Sequence, residues 1–362
     1  MVYAVIMAGG SGTRFWPASR KQSPKQLLSI AGQQTLLEAA VERLNNLVAR
    51  TDTLVVTNHR LVATVRELLP DLPPTAILGE PAKRDTTACI ALAAGLLDKR
   101  DPDATMLVMP ADHLIKPIEE FQHAVKLGIE LVNADPSRLV TLGIKPSYAA
   151  ESFGYIRQGN SVSAAENQED DTAFEVHEFC EKPDQTTAQR YLDHGGYYWN
   201  SGIFVWRTAT ILKAIAEKDP ALMEHINVIC NAAESSEFEE IFQREFSAIK
   251  GRSIDYTVLE THDNVVVIPT TFEWNDVGSW QSFQSLFPVD ENNNTIIAKH
   301  VAVKSTNNIV WTSEEHLVAT VGIHNCIIVH TANATLIANK DDEESVREVV
   351  TMIESLGWES FL

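Results

Sequence analysis

The chain has 362 residues, 44% of them hydrophobic, which is enough for one large domain with a substantial core and a second, smaller domain. Its 49 acidic and 29 basic residues give a formal net charge of −20, which argues against nucleic acid or an anionic membrane as a general partner. No apolar run approaches the ~18 residues of a membrane span, and no basic segment precedes the first apolar run as it would in a signal peptide. The four cysteines are scattered without a Cys-x-x-Cys pair, so we expect reduced thiols and a cytoplasmic protein.

The N-terminal segment departs from this acidic character. An apolar run at residues 3–7, which predicts a short buried strand, leads into the small residues 8–12, AGGSG. The first acidic residue is Glu38, and four cations lie on the loop or just beyond it: Arg14, Arg20, Lys21 and Lys25. Small residues let the backbone approach a ligand closely, and positive charge attracts a polyanion. The segment therefore indicates a phosphate-binding loop or, judged from the loop alone, a tight turn with a solvated basic face.

Two common phosphate-binding patterns do not fit this loop. The Walker pattern requires a glycine, four residues and then Gly-Lys-Ser/Thr, and the dinucleotide-binding pattern requires a third glycine where the chain has Phe15. The loop instead resembles the signature of sugar-1-phosphate nucleotidyltransferases, in which a strand is followed by AGGxGTR and then by a Pro-Lys pair. These motifs are residues 8–14 and 24–25 here. The sequence RFWPASRKQSPKQLL is most similar to the mannose-1-phosphate guanylyltransferase branch of that family.

Further motifs carry the same resemblance, and they follow one another in the order expected for this branch. They are FGY at residues 153–155, EKP at 181–183, NSGIF at 200–204, SIDY at 253–256 and WNDVGSW at 274–280. A pattern spread over much of the chain is far more specific than a single glycine-rich loop.

Hydrophobic patterns predict strands that alternate with helices over the first part of the chain. The predicted strands cover residues 3–7, 52–57, 76–78, 106–109 and 139–144, and the predicted helices cover 35–49, 61–69, 88–97 and 117–132. This alternation predicts an α/β fold with a mostly parallel sheet, in which ligands bind beyond the carboxyl ends of the strands. The resemblance implies a Rossmann-like nucleotidyltransferase domain, which we place at residues 1–287.

The pattern changes near residue 292. Short alternating runs separated by Asn, Thr, Ser and Gly predict a small β domain, which we place at residues 288–362. We expect it to resemble one or two turns of left-handed β-helix and to end in a helix over about residues 342–356. Such a tail is expected to bury a face against the main domain or another subunit, and the resemblance implies a homodimer.

The resemblance also implies the residues of the active site. It assigns the nucleotide to Ala8, Gly9, Gly10, Ser11, Gly12, Thr13, Glu80, Arg84 and Thr86, and the sugar phosphate to Gly154, Tyr155, Glu181, Lys182, Asn200 and Asp255. Arg14 would hold the departing pyrophosphate, and Lys25 would bridge the α-phosphate and the attacking phosphate oxygen. Asp112 and Asp276 would hold Mg²⁺, since two facing carboxylates are costly without a cation between them.

From the residues alone, several of these assignments have plain structural alternatives. Asp112 follows a predicted strand, where it suits Mg²⁺ but could equally cap the helix predicted at residues 117–132. Glu181 and Lys182 could be an ordinary exposed ion pair. The aromatic residues 197–199 are better explained as core than as a surface that stacks on a sugar. Each alternative predicts different contacts or a different degree of burial for the side chains concerned.

The implied reaction is GTP plus α-D-mannose 1-phosphate giving GDP-mannose and pyrophosphate. The second pKa of a sugar phosphate is about 6, so the substrate is already an oxyanion nucleophile at neutral pH and needs no general base. One alternative is a sibling transferase that uses another base or another sugar phosphate, such as glucose 1-phosphate. Another is a non-catalytic nucleotide-sugar sensor, against which the presence of all four functional residues argues, namely Arg14, Lys25, Asp112 and Asp276. Asp85 stands where the branch commonly has Asn, which leaves the choice of GTP over ATP open.

Overall fold

The computed structural model describes residues 1–10, 12–30, 32–162, 172–313 and 315–362. The contacts divide the chain into two units. The first, here called the sheet unit, comprises Met1–Gly9, Ala40–Ala111 and Ile115–Trp274. The second, here called the tail unit, comprises Gly10–Ala39, Asp112–Leu114 and Asn275–Leu362. This division follows contacts rather than chain order, and the predicted domain boundary after residue 287 stays a prediction.

The strands up to residue 275 begin with the predicted N-terminal strand. In chain order they are β1 (Val2–Ala8), β2 (Thr53–Asn58), β3 (Ile77–Glu80), β4 (Thr105–Pro110), β5 (Leu114–Lys116), β6 (Leu139–Ile144), β7 (Tyr155–Val162), β8 (Ala173–Cys180), β9 (Tyr197–Arg207), β10 (Val265–Pro269) and β11 (Glu273–Asn275).

Among the described residues, nine of these strands form one sheet in the order β3-β2-β1-β4-β9-β6-β10-β8-β7. β8 and β9 run opposite to the other strands. The side chains of β4 and β6 are almost wholly buried, as expected for strands covered on both faces. The predicted mostly parallel α/β sheet is confirmed.

The helices of this part of the chain include three that lie close to predicted positions, at residues 62–68, 85–100 and 118–134. In chain order the helices are α1 (Leu36–Glu42), α2 (Val62–Leu68), α3 (Asp85–Arg100), α4 (Ile118–Ala134), α5 (Gln185–His194), α6 (Thr208–Lys218), α7 (Pro220–Asn231) and α8 (Phe238–Ala248). A Cβ atom on Gly95 would lie 2.7 Å from the Cys230 sulfur, so this glycine lets α3 and α7 approach closely. None of the helices among the described residues combines the length and the apolar content needed to cross a bilayer.

α1 is much shorter than the helix predicted at residues 35–49. Beyond Glu42 the backbone makes i→i+3 hydrogen bonds, from Leu44 N–H to the Val41 carbonyl and from Asn45 N–H to the Glu42 carbonyl. Asn46 then adopts a left-handed φ of 67°. A left-handed residue cannot continue an α-helix, so the apolar spacing beyond it fits a series of turns instead.

The tail unit contains the predicted small β domain. Its strands are β12 (Thr295–Ile297), β13 (Lys299–Val303), β14 (Ile309–Thr312), β15 (Leu317–Val321), β16 (Cys326–His330) and β17 (Thr335–Asn339), and its later helices are α9 (Phe283–Leu286) and α10 (Val346–Ser355). β12, β14 and β16 stack in parallel, β13 pairs in parallel with β15, and β17 closes the stack in antiparallel fashion. This is the β-helix-like arrangement that the sequence predicts.

Asparagine side chains hold successive turns of this stack in register. The side-chain amide of Asn293 donates to Asn307, that of Asn307 to Asn325, and that of Asn325 to Asn339, at 2.9–3.1 Å. Each amide both donates and accepts, so a column of asparagines satisfies its own hydrogen bonds from turn to turn.

The closing helix begins later than predicted. Residues Lys340–Ser345 form a 3₁₀ segment, and Asp342 within it has a φ of −129°, which is not helical. The regular helix α10 therefore starts at Val346, and the acidic run at residues 341–344 precedes it.

One apolar cluster joins the N-terminal segment of the tail unit to its β stack. Phe15 and Trp280 pack with ring centroids 5.1 Å apart, and both belong to a cluster that also contains Ile309, Ile327 and Val346. The basic segment is therefore fixed to the C-terminal part of the chain by shared burial.

Candidate active site

The buried ammonium group of Lys25 contacts two acidic residues of the tail unit. Lys25 begins a single 3₁₀ turn after Pro24, and 10% of its side chain is exposed. Its Nζ donates to Oδ2 of Asp112 at 2.8 Å and to the carbonyl oxygen of Asp276. The structure thus brings together the predicted catalytic lysine and both predicted metal-binding acids.

The charges of Lys25 and Asp112 affect how the two carboxyl groups ionise. Burial raises the pKa of Asp112, but the charge of Lys25 and other favourable contacts outweigh this, so the pKa lies below its ordinary value. Burial raises the pKa of Asp276, and the negative charge of Asp112 adds to this, so its pKa lies above the ordinary range although Lys25 lowers it. An acid whose ionisation is opposed by a nearby carboxylate favours a cation beside it, and the ammonium of Lys25 supplies one here.

The structure excludes one alternative for Asp112. This residue follows β4 and precedes β5, and α4 begins at Ile118 with Pro117 as its capping residue and no side-chain cap. Asp112 therefore does not cap the following helix, which leaves its carboxylate available for Lys25 or for a metal ion.

The glycine-rich loop approaches Lys25 closely. Gly12 has a left-handed φ of 59°, and a Cβ atom there would lie 2.7 Å from Cβ of Lys25. Gly10 also has a positive φ, of 114°, and Ser11 lies outside the described residues. Thr13 follows Gly12 and starts a 3₁₀ turn. A glycine is required at position 12 both for its backbone conformation and for the space that Lys25 occupies.

Arg14 lies in the same turn and contacts two later segments of the chain. Its Nη1 donates to the carbonyl of Gly278 at 3.3 Å, and its Nε lies 2.9 Å from Oε1 of Glu344. The second contact is an ion pair rather than a hydrogen bond, because the Nε–H has no aligned acceptor among the described residues. A guanidinium with one long hydrogen bond and one unaligned ion pair retains N–H donors for a stronger anion.

Two further residues of the segment, Lys21 and Trp16, contact the C-terminal part of the chain. Lys21 Nζ lies 2.9 Å from Glu354 and 3.3 Å from Glu359, and the indole of Trp16 donates to the carbonyl of Phe361 at 2.8 Å. Sequence reasoning did not predict these partners. The signal for them was the acidic composition of the C-terminal segment opposite the one basic segment of the chain.

The predicted sugar-phosphate residues form a cluster within the sheet unit. Asn200 donates its backbone N–H to the Gly154 carbonyl at 2.8 Å and its side-chain amide to Asp255 at 2.8 Å. A Cβ atom on Gly154 would lie 2.5 Å from Oε2 of Glu181, so this glycine admits the carboxylate. Lys182 lies 2.9 Å from Glu181.

Burial separates these residues into two kinds. The side chain of Glu181 is 6% exposed and that of Lys182 is 55% exposed, so the two do not form an ordinary exposed ion pair. Tyr155 is fully buried, and its hydroxyl accepts a hydrogen bond from the N–H of Ala150. Tyr197 and Trp199 are buried as well, which confirms the core interpretation for both.

Asp255 is the most perturbed acid of this cluster. Burial and the nearby charge of Glu181 raise its pKa to about 6. It also begins a single π-helical turn, Asp255–Leu259, a conformation that occurs frequently at functional sites.

Glu80 ends β3 and lies near the start of the glycine-rich loop. It is buried, its Oε1 has no hydrogen-bond partner among the described residues, and a Cβ atom on Gly9 would lie 3.7 Å from its Oε2. Burial raises the pKa of Glu80 to about 7, although a hydrogen bond with Cys89 opposes this. The neighbouring Ala8 carbonyl accepts from the hydroxyl of Thr57 at 3.1 Å. Glu80 thus combines a buried carboxylate with unused acceptor capacity.

Two other residues assigned to the nucleotide make structural contacts. Arg84 donates to the carbonyls of Lys83 and Ser247, and the Thr86 hydroxyl accepts from the N–H of Ile254. Asp85 is exposed and has a left-handed φ of 56°. The nucleotide roles of Arg84 and Thr86 stay predictions.

Comparison with protein-family models matches residues 3–293 to a nucleotidyl transferase domain and residues 298–353 to a MannoseP isomerase/GMP-like beta-helix domain. The chain belongs to the nucleotidyl transferase family.

Relatives of known name agree with this family. A mannose-1-phosphate guanylyltransferase of Escherichia coli K12 is 37% identical over 361 residues, and one of Salmonella montevideo is 36% identical over 356 residues. Each alignment covers 98% of this chain and 74% of the relative. A solved structure from Thermus thermophilus, described as a mannose-1-phosphate geranyltransferase, is 30% identical with a TM-score of 0.85, covering 98% of this chain and 99% of that one. Together these findings identify a sugar-1-phosphate nucleotidyltransferase.

The ionisation of Asp255 predicts a pH-dependent change in stability. Its folded-state pKa of about 6 exceeds the ~3.9 of an unfolded aspartate, so the stability it confers is present at low pH and is lost as the pH rises through 6. Asp255→Asn should therefore raise the melting temperature at pH 8 and leave it nearly unchanged at pH 4. Thermal unfolding across this range measures the effect, with the exposed Asp71→Asn as the control for loss of one charge. A melting temperature below that of the wild type at pH 8 would contradict this prediction.

Proposed function

We propose that this nucleotidyltransferase transfers GMP from GTP to α-D-mannose 1-phosphate and produces GDP-mannose and pyrophosphate. The observation that carries the proposal is the buried Lys25 ammonium beside Asp112 and Asp276, next to a loop that ends in Arg14. The named relatives support the choice of GTP and of mannose 1-phosphate. The homodimer and the cytoplasmic location that the sequence predicts stay predictions.

The chemistry needs positioning and positive charge rather than a protein nucleophile. Mannose 1-phosphate, with a second pKa of about 6, would attack the α-phosphorus of GTP in line as an oxyanion. Lys25 would contact the α-phosphate and the attacking oxygen, and Arg14 the departing pyrophosphate. Amide groups of Gly10, Ser11, Gly12 and Thr13 would bind the remaining phosphate oxygens. The protein's task is to hold two anions together, which its otherwise acidic surface would repel.

Mg²⁺ is the proposed cofactor. Asp112 and Asp276 offer carboxylate oxygens, the donors that Mg²⁺ prefers, and a cation would offset the charge of Asp112, which helps to hold the pKa of Asp276 above its ordinary range. No group of three or more His, Cys, Asp or Glu side chains suited to a metal occurs among the described residues, which fits a metal that takes its other ligands from substrate phosphates and water. When bound, Mg²⁺ would neutralise negative charge on the phosphate oxygens.

The sugar would bind to the cluster in the sheet unit. Glu181 and Asp255 present carboxylate oxygens, and Asn200 presents an amide, so together they offer acceptors and a donor to the hydroxyl groups of a sugar ring. Lys182, which is half exposed and carries the positive charge of the cluster, would meet the sugar phosphate.

Glu80 would select guanine. Guanine presents two neighbouring donors, N1–H and N2–H₂, whereas adenine presents an acceptor at N1. Burial raises the pKa of Glu80 to about 7, so both its forms are present at neutral pH, and the donors of guanine would favour the ionised form. That form only accepts hydrogen bonds, and Oε1 of Glu80 is buried with no described partner. We therefore assign the preference for GTP to Glu80 rather than to the exposed Asp85.

Glu80→Gln tests this assignment. The amide of glutamine would turn a donor toward the donors of guanine, so we expect KM for GTP to rise about 10- to 100-fold, with little change for ATP. ITP, which lacks the N2 amine, should be a poorer substrate than GTP for the wild type, and the difference should shrink in the variant. An unchanged ratio of GTP to ATP specificity would rule out Glu80 as the base-selecting residue.

Lys25→Met tests the catalytic role of the buried ammonium. Removal of one electrostatic contact to the reacting phosphates typically costs ~3–4 kcal/mol of barrier, so we expect kcat for pyrophosphate release from GTP and mannose 1-phosphate to fall about 10²- to 10³-fold. Lys21→Met removes the same charge from the same segment, where Lys21 pairs with Glu354 and Glu359, and serves as the matched control. Near-normal turnover of Lys25→Met, or an equal loss in Lys21→Met, would contradict the assignment.

A further inference from the structure

Glu344 lies between two arginines of the tail unit. Its Oε1 is 2.9 Å from Nε of Arg14, and its Oε2 is 3.4 Å from Nη1 of Arg347. Arg14 belongs to the N-terminal loop, whereas Arg347 lies in the first turn of α10, three residues after Glu344. One carboxylate thus serves both the predicted pyrophosphate-binding arginine and a neighbour in its own segment.

The contact with Arg14 lacks hydrogen-bond alignment, and its carboxylate is exposed although the Nε atom of Arg14 is buried. The Glu344 side chain is 61% exposed and that of Arg14 is 31% exposed, and their separation is that of an ion pair without an aligned hydrogen bond. An ion pair with a solvent-exposed partner contributes little net free energy, because water solvates the exposed charge well. The other described contact of the guanidinium, to the Gly278 carbonyl, is long at 3.3 Å.

A phosphate group is a stronger partner for this guanidinium than Glu344 is. Pyrophosphate carries several negative charges and can accept parallel hydrogen bonds from an arginine. When Arg14 turns to such an anion, Glu344 is not left without a partner, because Arg347 remains beside it. An exchange of partners therefore leaves no uncompensated charge.

We propose that Glu344 is a positioning residue that acts through Arg14, as the resting counter-ion that Arg14 exchanges for pyrophosphate. The proposal rests on the proposed function, in which Arg14 binds the departing pyrophosphate. By competing for Arg14, Glu344 weakens the binding of this product and promotes its release. A purely structural role, in which Glu344 only stabilises the start of α10, would not affect pyrophosphate affinity specifically.

Two other acids of the C-terminal segment have partners other than Arg14, and one of them provides the matched control. Glu343 accepts hydrogen bonds from the backbone and side chain of Gln281, and Glu354 pairs with Lys21. Glu354→Gln removes the same charge from the same C-terminal segment without touching Arg14. It therefore separates a specific exchange from the general effect of a less acidic surface.

The test is the affinity of the full-length protein for inorganic pyrophosphate in the presence of Mg²⁺, measured by calorimetry and as product inhibition. We expect Glu344→Gln to bind pyrophosphate roughly twofold to fivefold more tightly than the wild type, the range that loss of an exposed ion pair allows. The KM for mannose 1-phosphate should not change. Glu354→Gln should bind pyrophosphate as the wild type does, and thermal unfolding establishes that each variant is folded.

Arg347→Met supplies a test of opposite sign. Without Arg347, Glu344 depends more on Arg14, so pyrophosphate should bind more weakly than to the wild type. In the Glu344→Gln background the same change should have much less effect, because the competing carboxylate is gone, and this double-mutant cycle isolates the coupling. Additive effects of the two substitutions would contradict the exchange.

The outcomes separate this inference from the proposed function. If the wild type neither binds pyrophosphate nor releases it from GTP and mannose 1-phosphate, the proposed function fails. If the wild type does both and Arg14→Ala weakens pyrophosphate binding, but Glu344→Gln leaves it unchanged or weakens it, the proposed function stands and the role of Glu344 is overturned.

Discussion

The buried ammonium of Lys25 is the interaction on which the site depends. It contacts the carboxylate of Asp112 and the backbone carbonyl of Asp276, two acids that lie 164 residues apart in the sequence. Without a cation these two acids would oppose each other's ionisation, and burial together with the charge of Asp112 already raises the pKa of Asp276. The loop that delivers Lys25 can reach this position because residue 12 is a glycine, which leaves room for the lysine Cβ.

The tail unit gives this loop its support. Phe15 and Trp16 belong to the same apolar cluster as residues of the β stack and of α10, and the Trp16 indole is fixed to the carbonyl of Phe361. Basic side chains of the loop meet acids of the last residues, Lys21 with Glu354 and Glu359 and Arg14 with Glu344. In a chain of charge −20, some of its acids thus serve to hold the positive segment in place. The β-helix-like tail therefore stabilises the position of the loop through apolar, hydrogen-bond and ion-pair contacts.

Much of the fold could be predicted from the sequence, because it follows from local patterns. The strand at Leu139–Ile144 lies where its apolar run predicts, and the parallel sheet follows from the alternation of strands and helices. The boundaries of α1 and α10 differ from prediction for reasons that apolar spacing does not reveal: i→i+3 hydrogen bonds before Asn46 and the non-helical backbone of Asp342.

The candidate site could be predicted only where a motif marks it. Lys25, Asp112 and Asp276 come together as the resemblance implies, and so do Gly154, Glu181, Asn200 and Asp255. Glu344 could not be predicted, since nothing in the spacing of residues 14 and 344 indicates that they meet. The full burial of Tyr155 and the structural contact of Thr86 were also beyond prediction, because they depend on how distant segments pack.

The most direct test of the account is pyrophosphate release by the wild-type protein with Mg²⁺, with GTP, ATP, UTP and dTTP each combined with mannose 1-phosphate and glucose 1-phosphate. The account predicts a clear maximum for GTP with mannose 1-phosphate. A maximum for another pair would contradict the assigned specificity while leaving the Lys25 mechanism intact. Absence of release in every combination, with nucleotide still bound, would contradict the catalytic account and favour a nucleotide-sugar sensor.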